Sequence, residues 1–198
     1  PKASWHFTSI TSNSGGTAFT ARGAGGILIE SSTPLRGYFN LDNILLVLAI
    51  AIECGIDPLD CAALIPRLKG APGRMESVDC GQDFTALVDY AHTPDAVRNV
   101  IATASEFTSG KVIAVLGCGG DRDASKRPLM GSALIEESGI AIFTSDNPRS
   151  EPPQTIIAHM VDGLSDPSKA IICIERAQAI AQTIRHAKPQ DVILIAGK

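Results

Sequence analysis

Five short apolar, largely β-branched runs, at residues 84–88, 112–116, 140–144, 170–174 and 192–196, alternate with helical stretches that begin at Pro94, Arg127, Pro152 and Arg176. Strands separated by helices cannot be joined by tight hairpins. Successive strands run in the same direction, and each connection lays a helix on a face of the sheet. The sequence therefore predicts an α/β fold over this stretch, a Rossmann-like, doubly wound, mostly parallel sheet. Thr93-Pro94-Asp95 supports one helix start. Threonine can accept a bond from a free backbone amide, proline is pre-set for the first helical position, and an acid favours the positive end of the helix dipole.

The chain before this region reads differently. Residues 6–10, 17–21 and 26–30 are short extended segments separated by Ser/Asn/Gly clusters such as TSNSGG, which predicts a β-rich patch. The run LDNILLVLAIA at 41–51 is too long and too uniformly apolar for a surface strand, and a second helical stretch follows at 59–68. Two packed helices are expected there, with the Leu/Ile/Val stripe of 41–52 in the core. The segment KGAPGRME, with Gly70, Pro72 and Gly73 close together, breaks helix and strand alike and divides the chain into residues 1–69 and 70–198.

Composition narrows the functions available. No apolar run approaches the roughly 20 residues of a membrane helix, and the opening PKASWHFTSI has neither the basic nor the apolar region of a signal peptide. No membrane association and a cytoplasmic location are expected. The net charge of −4 argues against a large phosphate-backbone interface, so nucleic acid is not an expected partner. The five cysteines, Cys54, Cys61, Cys80, Cys118 and Cys173, form no C-x-x-C pair and read as reduced, buried, small hydrophobes. No metal site is expected among them.

In open parallel sheets ligands bind beyond the carboxyl ends of the strands, where helix N-termini also point. The loops at that edge are 89–93 (DYAHT), 117–123 (GCGGDRD), 145–149 (SDNPR), 175–176 (ER) and 197–198 (GK). The glycine-rich loop either lets backbone amides approach an anion or is a tight strand-to-helix turn. Asp121, Arg122 and Asp123 suit a zwitterionic ligand, a carboxylate seeking the guanidinium and an ammonium seeking the acids. Asp146-Asn147-Pro148-Arg149 offers a second arginine, or else an Asx-type turn that caps the next helix through Ser150. His92 reads as a general base or as a structural donor beside a helix start. His6, His159 and His186 read as ordinary surface residues.

Taken together, GYFNLDN at 37–43, APGRME at 71–76, VDYAHTPDA at 88–96, GCGGDRDASKRPLMG at 117–131 and TSDNPRSEPP at 144–153 resemble, in order and spacing, the successive signatures of the Mur ligases. Within that family they are most similar to the members that add the third amino acid to a UDP-linked muramoyl dipeptide. The resemblance implies that residues 1–69 end a central ATPase domain and that 70–198 form most of a C-terminal Rossmann-like domain. It also implies a P-loop, magnesium ligands and a UDP site upstream, and a family continuation beyond Gly197 into Gly-His-Glu, so that this piece alone does not turn over ATP. No catalytic residue is assigned within the chain.

By the same resemblance Asn43 contacts adenine, and Arg74, Asp89 and His92 belong to the ATP site. Arg122, Asp146, Asn147, Arg149 and Gly197 form the pocket for the incoming amino acid. The implied substrates are ATP with Mg2+, the UDP-muramoyl dipeptide and meso-diaminopimelate, whose distal carboxylate Arg149 would clamp, and the implied protein is a monomer. The alternatives are a lysine-adding muramoyl ligase, a folylpolyglutamate synthetase-like ligase, and a non-catalytic nucleotide-binding or interaction module.

Overall fold

The computed structural model describes residues 4–13, 16–106 and 108–197; Lys198 of the last predicted loop lies outside them. The chain divides into two compact units, Pro1–Gly70 and Ala71–Lys198, and the division falls inside the glycine- and proline-rich KGAPGRME segment.

The first unit begins with three antiparallel strands, β1 (His6–Asn13), β2 (Gly16–Arg22) and β3 (Leu28–Thr33), in the order β1-β2-β3. The expected third strand starts late because residues 24–26 form a short 3-10 turn. Two helices follow, α1 (Tyr38–Glu53) and α2 (Pro58–Leu64), the latter capped by the Asp57 carboxylate accepting from the Leu59 amide at 2.7 Å. Their core joins Phe19, Ala21 and Ile29 of the sheet to Leu41, Ile44 and Leu48 of α1 and to Cys61 and Ile65. The expectation that the whole 41–52 stripe is core is corrected here. A helix apolar all round buries only the faces that something covers, and among the described residues Leu46, Val47 and Ile50 lie on an exposed face of α1.

The second unit contains the expected sheet, extended by one strand. Its elements are β4 (Glu76–Val78), β5 (Thr85–Asp89), α3 (Pro94–Ser105), β6 (Val112–Leu116), α4 (Lys126–Glu137), β7 (Ile140–Phe143), α5 (Pro153–Val161), β8 (Ala170–Ile172), α6 (Arg176–His186) and β9 (Val192–Ala196). The strand order is β4-β5-β9-β6-β7-β8, parallel from β5 to β8, with β4 antiparallel on the edge.

Alternation along the strands explains how both faces are filled. Val112, Ala114 and Leu116 of β6 join Leu194 of β9 and the apolar sides of α3, α4 and α5 in the main core. Ile113 and Val115 point the other way and pack with Ala179 of α6. Thr93 caps α3 as expected, accepting from the Ala96 amide. Helices α4 and α5 approach so closely at Gly131 that a Cβ there would lie 1.8 Å from the Met160 carbonyl oxygen. Two of the five cysteines contradict the expected burial: Cys61 and Cys118 are buried, whereas Cys54 and Cys80 are exposed, and all five are free thiols. Among the described residues no helix is long and apolar enough to cross a membrane.

Candidate functional site

A cleft of about 380 Å³ opens at the carboxyl edge of the parallel sheet in the second unit. It is lined by His92 and Tyr90 after β5, by the 117–123 loop after β6, by Asp146 and Arg149 after β7, and by Gly197 after β9. The strand-end rule thus brings His92, Arg122, Asp146, Arg149 and Gly197 together from four separate stretches of sequence. Sequence reading placed Tyr90 and Asp123 in loops at this edge but did not single out Lys126 or Arg127 as lining residues.

The glycines of the 117–120 loop serve loop-to-loop packing. A Cβ on Gly120 would fall 1.9 Å from the Pro148 carbonyl oxygen, so only glycine lets the β6 loop lie against the β7 loop. The Gly120 amide donates to the Asn147 carbonyl at 2.9 Å, and the Arg149 Nη1 donates to the Gly120 carbonyl at 2.6 Å. Arg149 itself sits at φ 50°, in the left-handed region. Arg122, by contrast, has no hydrogen-bond or ion-pair partner among the described residues. Of the three arginines on the lining, Arg149 is thus pinned to backbone and Arg127 is committed to Glu151, which leaves the Arg122 guanidinium without a partner among the described residues.

Carboxylates face these cations. Asp146 lines the cleft close to Arg176, whose guanidinium donates to the carbonyls of Ser145 at 3.4 Å and Ala196 at 3.1 Å. Partial burial lowers the pKa of Arg176, and the Asp146 charge opposes that shift. Asp123 accepts from the amide and hydroxyl of Ser125, which holds its carboxyl below the ordinary range. The Cys118 thiol, also on the lining, is buried beside the Met130 sulfur at 3.6 Å; burial pushes its pKa up to about 12, which makes it an inert wall.

Four predicted site residues are placed elsewhere. Asn43 is exposed on α1 of the first unit. Arg74 does not line the cleft; its guanidinium lies 5.3 Å from the centre of the Tyr90 ring. Asn147 is also off the lining and takes part through its backbone carbonyl. Asp89 is 4% exposed, and its two oxygens accept from the amides of Ala91 at 2.8 Å and Met75 at 2.9 Å. A carboxylate so enclosed organises the chain around it. Asp121 likewise leaves the zwitterion reading, because it binds the hydroxyl and amide of Ser150. That bond also corrects the expected cap: Ser150 faces Asp121, and α5 has no side-chain cap.

An ion pair between a buried arginine of the lining and a partly buried glutamate went unseen in the sequence. Arg127, 2% exposed, donates Nη2 to Glu151 Oε1 at 2.6 Å and Nη1 to Glu151 Oε2 at 2.8 Å. Its Nη1 also lies 3.0 Å from His159 Nδ1. A guanidinium only donates, so this histidine nitrogen accepts, and His159 is a structural partner rather than an ordinary surface residue. Glu151 accepts further from the Asp121 amide at 2.6 Å, and the bond from Arg127 pulls its pKa down to about 2. Among the described residues no group of three or more His, Cys, Asp and Glu side chains is placed to hold a metal.

A parallel sheet whose carboxyl edge gathers three arginines, a lysine and two acids into one cleft defines an α/β domain with a cleft of mixed charge. Comparison with known proteins narrows that class. The chain belongs to the Mur ligase family: the family model described as Mur ligase, glutamate ligase domain, matches residues 73–198. It is similar to the UDP-N-acetylmuramoyl-L-alanyl-D-glutamate--2,6-diaminopimelate ligase of Syntrophomonas wolfei, 46% identical over 83% of this chain and 34% of the relative. A solved structure of a ligase with the same name is 37% identical, with a TM-score of 0.71, over 100% of this chain and 40% of that one. A folylpolyglutamate synthase from Mycobacterium tuberculosis, complexed with ADP and AMPPCP, has a TM-score of 0.76 over 100% of this chain and 46% of its own, at 18% identity, and shares the fold. The chain spans between 33% and 40% of the length of the first curated relatives it matches.

Proposed function

We propose that the protein to which this chain belongs is an ATP-dependent amide-bond ligase that adds meso-diaminopimelate to UDP-N-acetylmuramoyl-L-alanyl-D-glutamate in peptidoglycan precursor synthesis. The observation that carries the reading is the meeting of Arg122, Arg149 and Asp146 in one cleft. A diamino dicarboxylic acid presents both charges at each end, so paired guanidinium and carboxylate groups suit it. The names of the relatives support the same substrate.

In this reading residues 1–69 end a central ATPase domain and 70–198 belong to the C-terminal domain. Asn43, Arg74 and His92 serve the nucleotide, with Asp89 holding the backbone beside them. Arg122, Asp146, Arg149 and Gly197 receive the amino acid, and Asn147 shapes their loop. ATP phosphorylates the dipeptide's carboxylate, the amine of the amino acid attacks the acyl phosphate, and ADP and phosphate leave. The role of this chain is to place the amine and exclude water. Magnesium would accompany the nucleotide, and the described residues are assigned only to the organic ligands. The protein works as a cytoplasmic monomer.

Arg149 decides between diaminopimelate and lysine. Lysine lacks the second carboxylate and would leave the guanidinium without its anion, and sites built on such a contact reject the analogue by about 10⁴-fold. Steady-state kinetics of the whole enzyme should show this preference in kcat/KM, and Arg149→Ala should remove most of it. Equal use of both amino acids by the wild type would defeat the assignment. A ligase of the folylpolyglutamate type would instead turn over a folate with glutamate, which the same assay reads.

A further inference from the structure

Arg122 and Arg149 stand on loops of the cleft that are tied to each other. Asp121, immediately before Arg122, has φ 52°, and Arg149, immediately before Ser150, has φ 50°. Neither is glycine, so both backbones are held in a conformation that their side chains disfavour. What holds them is a closed ring of bonds. Arg127 grips Glu151 with two nitrogens, Glu151 accepts from the Asp121 amide, and Asp121 accepts from Ser150 through both its hydroxyl, at 2.6 Å, and its amide.

We propose that Arg127 and Glu151 are positioning residues whose ion pair, closed through Asp121 and Ser150, sets the spacing from which Arg122 and Arg149 reach the two ends of an amino-acid substrate. The inference rests on the amino-acid reading of the cleft given above. Stability alone is a poor reason for the pair, since burying an arginine costs desolvation that its partner barely repays. The Arg127 Nε, moreover, is buried with no hydrogen-bond partner among the described residues. Such an orphan is retained where geometry matters more than energy. Arg127 also has its terminal nitrogens committed to Glu151, His159 and the Gly119 carbonyl, so it acts through its neighbours.

The test is steady-state kinetics on the whole enzyme with Glu151→Gln, Ser150→Ala and Arg149→Ala. Glu151→Gln should raise the KM for meso-diaminopimelate and lower kcat/KM by about 10²-fold, the loss that ~1 Å of misplacement brings, while the KM for ATP stays put. Ser150→Ala, which removes one exposed hydroxyl, should move the same constant in the same direction by less, and it decides the matter if Glu151→Gln does not fold. A general weakening of the fold would disturb both KM values and the melting temperature together. Wild-type KM for diaminopimelate in the folded ring variants, with Arg149→Ala still defective, overturns the positioning role and leaves the ligase reading intact. If Arg149→Ala itself is silent, the amino-acid reading fails, and the ring's role fails with it.

Discussion

Glu151 gives the protein an acid limit that can be measured. Its carboxyl binds a proton less readily when folded, at about 2, than at its ordinary 4.5, because Arg127 and the Asp121 amide prefer the anion. As pH falls the unfolded chain takes up that proton first. The stabilisation is complete above about 4.5 and drains away between there and about 2. Denaturant midpoints of the wild type should therefore fall more steeply across this window than those of Glu151→Gln, and parallel curves would remove Glu151 as the cause. This pair also marks what the sequence hides. Arg122, Asp146 and Arg149 could be found because they follow strands at the ligand-binding edge. Arg127 and Glu151 lie 24 residues apart with no pattern joining them, and only the packing of α4 against the loop before α5 makes them partners. Ser150 looked like a helix cap for the same reason: local sequence offered a cap, and tertiary structure offered Asp121.

Among the elements, the parallel strands were legible because burial on both faces makes them continuous apolar runs. Strand β4 was not legible. It is three residues long, exposed throughout and paired on one side only, so neither alternation nor hydrophobicity marks it. The reverse error arose in α1, where uniform hydrophobicity implied burial that the described residues supply on one face alone. Helix packing offers a sharper test. The Met160 carbonyl occupies the space a side chain at Gly131 would need, so Gly131→Ala should push α4 from α5 and cost about 3 kcal/mol, the upper range for overpacking. Urea unfolding would read the loss, and a change within error would mean that the helices separate freely.

At the scale of the molecule, each unit has its own apolar core, and the second encloses the whole cleft. Residues 71–198 expressed alone should unfold in one cooperative transition and retain near-ultraviolet dichroism, whereas removal of 192–198 should abolish both. A noncooperative melt of 71–198 would show that the first unit is needed for the second to fold. The reason to expect such dependence on 192–198 is that β9 lies between β5 and β6, hydrogen-bonded to both, although it follows β6 by some 75 residues. A polypeptide leaving the ribosome thus carries two bare strand edges until residues 192–196 emerge. Such pairing is slow in kinetic terms, and the waiting edges invite association with other nascent chains. The floor on which the cleft rests is completed only when β9 joins it, so anything that binds the cleft can report only on a chain whose translation has passed residue 196.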